Sequence, residues 1–124
     1  MPKAIVVDDS KAIRMILSKI LAEVGYEVCP ATSGREALAA LHHGQGAISL
    51  VLVDWNMPEM NGLEFVRQVR SEACFSAVTL MMVTTETEVE QMAQALQEGA
   101  NEYVMKPFTK EIIADKLRLL GAIQ

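Results

Sequence analysis

Several things are scarce in this chain, and each absence removes a class of function. No apolar run reaches the roughly 18 residues that a membrane-crossing helix needs, so membrane insertion is not expected. Basic residues are few and scattered: Lys and Arg total 11 against 16 Asp and Glu, for a net charge of −5. A positive stripe of the kind that tracks nucleic acid is therefore missing. There are two cysteines, Cys29 and Cys74. Neither sits in a CxxC or Cys/His spacing, so a zinc site or a disulfide scaffold is not indicated. They are expected to be reduced, packed thiols of a cytosolic protein. Met1-Pro2-Lys3 leads directly into an apolar strand pattern with no secretory leader, and a cytoplasmic location is the expectation. Linkers, low-complexity tracts and internal repeats are also lacking.

What is present suits one compact domain over residues 1–124. The length allows a single core, 51% of residues are hydrophobic and 22% are charged, which argues against disorder. Eight methionines should mostly fill the core, unless an exposed cluster marks an adaptable binding face.

The hydrophobic pattern alternates between two periods. Ala4-Ile5-Val6-Val7 is a short continuous apolar run, the pattern of a strand buried on both faces. Ile13, Ile16, Leu17, Ile20, Leu21 and Val24 then follow helical spacing until Gly25. Tyr26 to Ala31 reads as a second strand, placed at a sheet edge by Pro30, which cannot donate to a ladder. Ser33-x-x-Glu36 is a capping-box pattern opening a helix over Ala37, Leu38 and Leu41, ended by Gly44 and Gly46. Ile48 to Val53 is a third strand. Asn61 caps a third helix that buries Phe65, Val66 and Val69. Val78 to Val83 is a fourth strand, followed by a helix capped by Thr87-x-x-Glu90 with a stripe of Val89, Met92, Ala93 and Leu96 and closed by Gly99. Glu102 to Met105 is the fifth strand. Thr109 caps the last helix, which carries Ile112, Ile113, Leu117 and Leu120. Five strand–helix repeats predict an α/β fold, with a parallel sheet covered by helices on both faces.

The polar residues at the strand ends carry the chemistry. Strand one ends in Asp8-Asp9, strand three in Asp54, strand four in Thr84-Thr85 and strand five in Lys106-Pro107. In a doubly wound sheet of order 2-1-3-4-5 these ends share one rim, where such folds bind ligands. Clustered carboxylates repel one another and call for a cation. Hard oxygen donors suit Mg²⁺, which keeps waters and accepts phosphate oxygens. A lysine gives a phosphate a compact positive charge, a threonine hydroxyl can donate to a phosphoryl oxygen, and a carboxylate can attack phosphorus to form an acyl phosphate. Taken singly, each piece has an ordinary explanation: loop acids near a helix N-terminus, turn or cap threonines, a surface Lys-Pro. Their joint occurrence at four strand ends favours a phosphoryl site.

The segments Val6-Val7-Asp8-Asp9-Ser10, Val53-Asp54-Trp55-Asn56-Met57-Pro58, Met82-Val83-Thr84, Gly99-Ala100 and Tyr103-Val104-Met105-Lys106-Pro107-Phe108 resemble the receiver domains of bacterial response regulators. The resemblance covers essentially the whole chain and is strongest, around Asp54, to single-domain chemotaxis regulators of the CheY type. It implies a (βα)5, flavodoxin-like fold and a two-component signalling switch. Asp54 would be the phosphoacceptor, and the protein would assist its own phosphotransfer and autodephosphorylation without being an enzyme in the ordinary sense. Mg²⁺ would be held by Asp9, Asp54 and the Asn56 carbonyl, with Asp8 acting through a bound water. Lys106 and Thr84 would contact the phosphoryl group and Tyr103 would be the aromatic switch. The Lys106–Pro107 peptide would be cis, and Asn56 and Glu86 would tune how fast the group is lost. Implied partners are a histidine kinase as donor, a downstream protein on the fourth helix, fifth strand and fifth helix (the flagellar motor switch among the candidates), and a phosphatase. Asn61 stands where the family more often has Asp, which leaves the cap intact. Ser10-Lys11-Ala12 replaces the aromatic that follows the acidic pair in enteric chemotaxis regulators, which weakens transfer of the motor partner more than of the switch.

Other signals carry less. His42-His43 at a helix C-terminus suit the helix dipole better than a metal site. Gly44-x-Gly46 has neither a preceding strand nor a third glycine, so it is no dinucleotide fingerprint. Trp55 reads as a partly buried neighbour of Asp54. Three competing functions share the pattern: a phosphorylation-independent interaction module, a receiver cut from a larger regulator, and a dehalogenase-like hydrolase. The last needs an acid two residues after the nucleophile, where this chain has Asn56.

Overall fold

The computed structural model describes residues 2–44, 46–85 and 89–124. The chain alternates strand and helix throughout: β1 (Lys3–Val7), α1 (Lys11–Glu23), β2 (Glu27–Ala31), α2 (Gly34–Gly44), β3 (Ile48–Val53), α3 (Gly62–Arg70), β4 (Thr79–Thr84), α4 (Val89–Glu98), β5 (Glu102–Met105) and α5 (Lys110–Leu119), with one 3₁₀ turn at Ala73–Phe75. The five strands are all parallel, in the order β2-β1-β3-β4-β5. This is the CheY-like, flavodoxin-like fold. Among the described residues, no helix is long and apolar enough to cross a membrane.

Strand side chains alternate between two cores, which is why the strands read as unbroken apolar runs. Ile5, Val7, Val51, Val53, Leu80 and Met82 pack beneath α2, α3 and α4, where Leu41, Phe65, Val66, Val69 and Met92 meet them. Ala4, Val6, Leu50, Leu52, Met81 and Val83 face α1 and α5, against Leu17, Leu21, Ile113 and Leu117. Pro30 lies on the edge strand β2, in register with Val6. The caps follow the sequence: Asn61 completes a capping box with Glu64, and Thr109 accepts from Ile112 N–H. At α2, Ser33 Oγ accepts from Glu36 N–H, but the Glu36 carboxylate turns to Thr32 and leaves the box half formed.

Several expectations need correction. Cys29 and Cys74 are free and exposed, not packed. Cys29 sits on an edge strand with fewer covering neighbours, and Cys74 in the short 3₁₀ turn. In α4 the buried stripe is Met92 and Ala95, while Ala93 and Leu96 face outward. Ile16 of α1 and Ile112 of α5 are likewise exposed. Helical spacing marks an arc wider than the strip that a sheet can cover, and among the described residues β5 is the last strand at its edge of the sheet. Tyr26 precedes β2, buried, with its hydroxyl donating to Ala122 O. Of the methionines, Met57, Met81, Met82 and Met92 are buried, and Met15 and Met105 are exposed but lie on different elements. Thr87, the expected cap of α4, and the Val89 side chain lie outside the described residues, as does Glu86.

Candidate functional site

The sheet delivers the polar residues to one rim. Each strand ends as its ladder runs out, and the next residues continue the pairing just far enough to fix the site. Asp54 N–H donates to Val7 O at 3.0 Å, Asp8 N–H to Ala31 O at 3.2 Å, and Lys106 N–H to Thr84 O at 2.8 Å. Asp8, Asp54 and Lys106 are thus held by backbone bonds to neighbouring strand ends before their side chains make any contact.

The side chains then converge. Asp8, Asp9 and Asp54 each present a carboxylate oxygen, all within 4.8 Å of one another. Lys106 Nζ lies 3.2 Å from Asp8 Oδ2 and 3.5 Å from Asp54 Oδ1. Asp8 is almost fully buried and well occupied: its Oδ1 accepts from Ser10 N–H at 2.9 Å, and its main-chain carbonyl accepts from Arg14 at 2.7 Å. Asp9 is exposed, with no bonded partner for its carboxylate among the described residues. Burial, and then the Asp8 charge, push the Asp54 carboxyl above its ordinary range; Lys106 and the backbone at Asn56 pull the other way. One contacting ammonium against three carboxylates leaves the cluster short of positive charge. The donors are all hard oxygens, and the Asp9 oxygens are open, so the residues fit a hard divalent cation.

The β3–α3 loop holds Asp54 from behind. Gly62 N–H donates to Trp55 O at 2.8 Å. A Cβ at Gly62 would lie 2.7 Å from Asp54 O and 2.5 Å from Met82 Cε, so only glycine lets α3 start this close. Trp55 and Met57 are buried and Asn56 is exposed. Thr84 is fully buried at the end of β4. Tyr103 pairs with Met82 and is half-buried against the core beneath α4, with Lys116 Nζ 5.6 Å from its ring centre. The Lys106–Pro107 peptide is cis.

Asp8, Asp9, Asp54 and Lys106 are therefore gathered, with Thr84 at the adjacent strand end and Tyr103 one strand further, two residues before Met105. Two contacts escaped the sequence reading. Ser10 caps α1 and also holds Asp8. Arg14 lies between the apolar positions Ile13 and Leu17, and no role was read for it. Its place in the first turn of α1, directly after the strand that ends in Asp8-Asp9, is the signal that could have found it.

Residues 4–118 match the response regulator receiver domain. Chemotaxis protein CheY1 of Helicobacter pylori is 40% identical over 119 residues, covering 95% of each chain. A chemotaxis protein CheY homolog of Campylobacter jejuni is 40% identical over 116 residues, 93% of this chain and 88% of that one. The solved structure of Vibrio cholerae chemotaxis protein CheY4 superposes with a TM-score of 0.88 at 38% identity, covering 96% of this chain and 98% of the other. Rim geometry, fold and sequence agree: the chain belongs to the response regulator receiver domain family.

Proposed function

We propose that this chain is a single receiver domain acting as a phosphorylation-dependent switch, with Asp54 as phosphoacceptor and Mg²⁺ as its cofactor. The observation that carries this is the buried Asp54 carboxylate with Lys106 3.5 Å away and Asp8 and Asp9 within reach of a shared cation. Asp9, Asp54 and the Asn56 carbonyl would hold Mg²⁺, with Asp8 reached through water. When bound, the ion neutralises charge on the transferring phosphoryl group. An Asp54 oxygen attacks phosphorus, the P–N bond to the donor histidine breaks with its electron pair leaving on nitrogen, and an acyl phosphate remains. Lys106 gives the incoming phosphoryl oxygens a fixed positive partner.

Phosphoryl contacts with Thr84 and Lys106 form in one of two arrangements and bias the population toward it. Tyr103 is the readout, joined by exposed Leu96, Met105 and Ile112 on α4, β5 and α5. Those apolar side chains suit a protein target, and the CheY relatives make chemotaxis the context and the flagellar motor switch the first partner to try. The chain acts in the cytoplasm, a histidine kinase is the donor and a phosphatase completes the cycle; Asn56 and Glu86 tune the lifetime. The chain is a signalling phosphoacceptor rather than a classical enzyme.

The test follows Trp55, the only tryptophan, buried beside Asp54. Mg²⁺ should change its fluorescence, and beryllofluoride should change it again. The second change should be lost in Asp54→Asn. A folded protein in which beryllofluoride acts equally on both would sink the reading and leave a phosphorylation-independent interaction module in its place.

A further inference from the structure

We propose that Arg14 is a positioning residue of the acidic site: its guanidinium fixes the Asp8–Asp9 peptide and so aims the Asp9 carboxylate at the cation. This rests on the metal-dependent reading above. Arg14 lies on α1 and reaches back to the end of β1, where its Nη1 donates to the Asp8 main-chain carbonyl at 2.7 Å. That is the shortest of the three bonds involving a side chain at Asp8, the others being Ser10 N–H to Asp8 Oδ1 at 2.9 Å and Lys106 Nζ to Asp8 Oδ2 at 3.2 Å. The bond falls on the one group whose orientation matters for Asp9. A peptide is planar, so pinning its oxygen also pins the N–Cα bond of the next residue.

Asp8 is then held on every side: amide to Ala31, carbonyl to Arg14, and carboxylate to Ser10 and Lys106. Asp9 has no such anchors among the described residues, so its direction is inherited from the peptide that Arg14 holds. Among the described residues, no carboxylate pairs with the Arg14 guanidinium. Among the described residues its guanidinium donates to this carbonyl alone.

Two effects of removing Arg14 oppose each other. Its positive charge near the site repels a divalent cation, so losing the charge alone would tighten binding. Losing the hydrogen bond frees the Asp8–Asp9 peptide and would weaken binding. Outer-shell partners that orient ligands typically change metal affinity about 10-fold or more, whereas a half-exposed charge acts through screened, high-dielectric surroundings. Weakening should win.

The experiment is a Mg²⁺ titration read by Trp55 fluorescence, beside thermal unfolding without metal. Arg14→Met keeps the apolar stem and removes the donor; Arg14→Lys keeps a charged donor. The expected result is Mg²⁺ binding about tenfold weaker in Arg14→Met, an intermediate loss in Arg14→Lys, and a metal-free Tm close to wild type in both. Unchanged or tighter Mg²⁺ binding in folded Arg14→Met overturns the assignment and leaves the parent reading standing. If the wild type shows no Mg²⁺ response that Asp9→Asn abolishes, the parent reading fails and this one with it.

Discussion

At the scale of single residues, Asp54 is placed where a charge is costly. It is 6% exposed, next to another buried carboxylate, and its carboxyl is pushed above the ordinary value of 3.8 by burial first and Asp8 second. A folded-state pKa above the unfolded one means that the native state binds the proton more tightly. Its stabilising contribution is present in full below the unfolded pKa and is lost as pH rises through the folded one. At neutral pH without metal, ionised Asp54 therefore works against folding. Asp54→Asn should raise Tm at pH 7 in a chelator, and the gain should shrink as pH falls toward 4. Thermal unfolding of both proteins at the two pH values checks it. A lower Tm for Asp54→Asn at pH 7 would mean that the Lys106 contact outweighs burial.

At the scale of elements, the start of α3 shows what the sequence makes legible and what it hides. The alternation of four- to six-residue apolar runs with helical stripes gave all five strands and five helices, because buried parallel strands and amphipathic helices differ in period. Asn61 and Thr109 announced their caps by residue type. The α4 stripe was read one face too far round, since Leu96 and Ala93 fit the period while, among the described side chains, those buried on α4 are Met92 and Ala95. The exposed cysteines were missed because the packed-thiol expectation followed residue type alone, although Pro30 had already marked the strand of Cys29 as an edge and Cys74 lies in a 3₁₀ turn outside the sheet. Gly62 gave no signal beyond helix start, although its hydrogen is what lets α3 touch the Asp54–Trp55 peptide. In a helix, Gly→Ala ordinarily gains up to about 1 kcal/mol. Here the added Cβ would meet backbone at 2.7 Å and 3.0 Å, and overpacking of that kind costs about 1–3 kcal/mol. Gly62→Ala should be net destabilising, lowering Tm by a few degrees, and it should weaken Mg²⁺ binding by shifting Asp54. A variant as stable as wild type would show that the loop yields without cost.

At the scale of the whole molecule, the site exists only when the sheet is complete. Its parts come from residues 8–9, 54, 84 and 106, and three strand pairings bring them together. That convergence was readable because the family resemblance supplied the strand order, which fixes which ends are neighbours; the bonds of Arg14 and Ser10 were not, because they depend on where α1 docks. An unfolded chain holds these carboxylates apart and has no comparable site. Any cation bound there must then stabilise the fold by mass action, by about 2.7 kcal/mol at a hundred times its dissociation constant. Mg²⁺ should therefore raise Tm in a concentration-dependent way in the wild type. The rise should vanish in Asp9→Asn, which loses an exposed carboxylate charge without disturbing the core. Ca²⁺, with its longer bonds and higher coordination number, should serve less well in a site whose carboxylates are set by rigid strand ends. Equal protection of wild type and Asp9→Asn by Mg²⁺ would place the ion elsewhere on an acidic surface and detach it from Asp54.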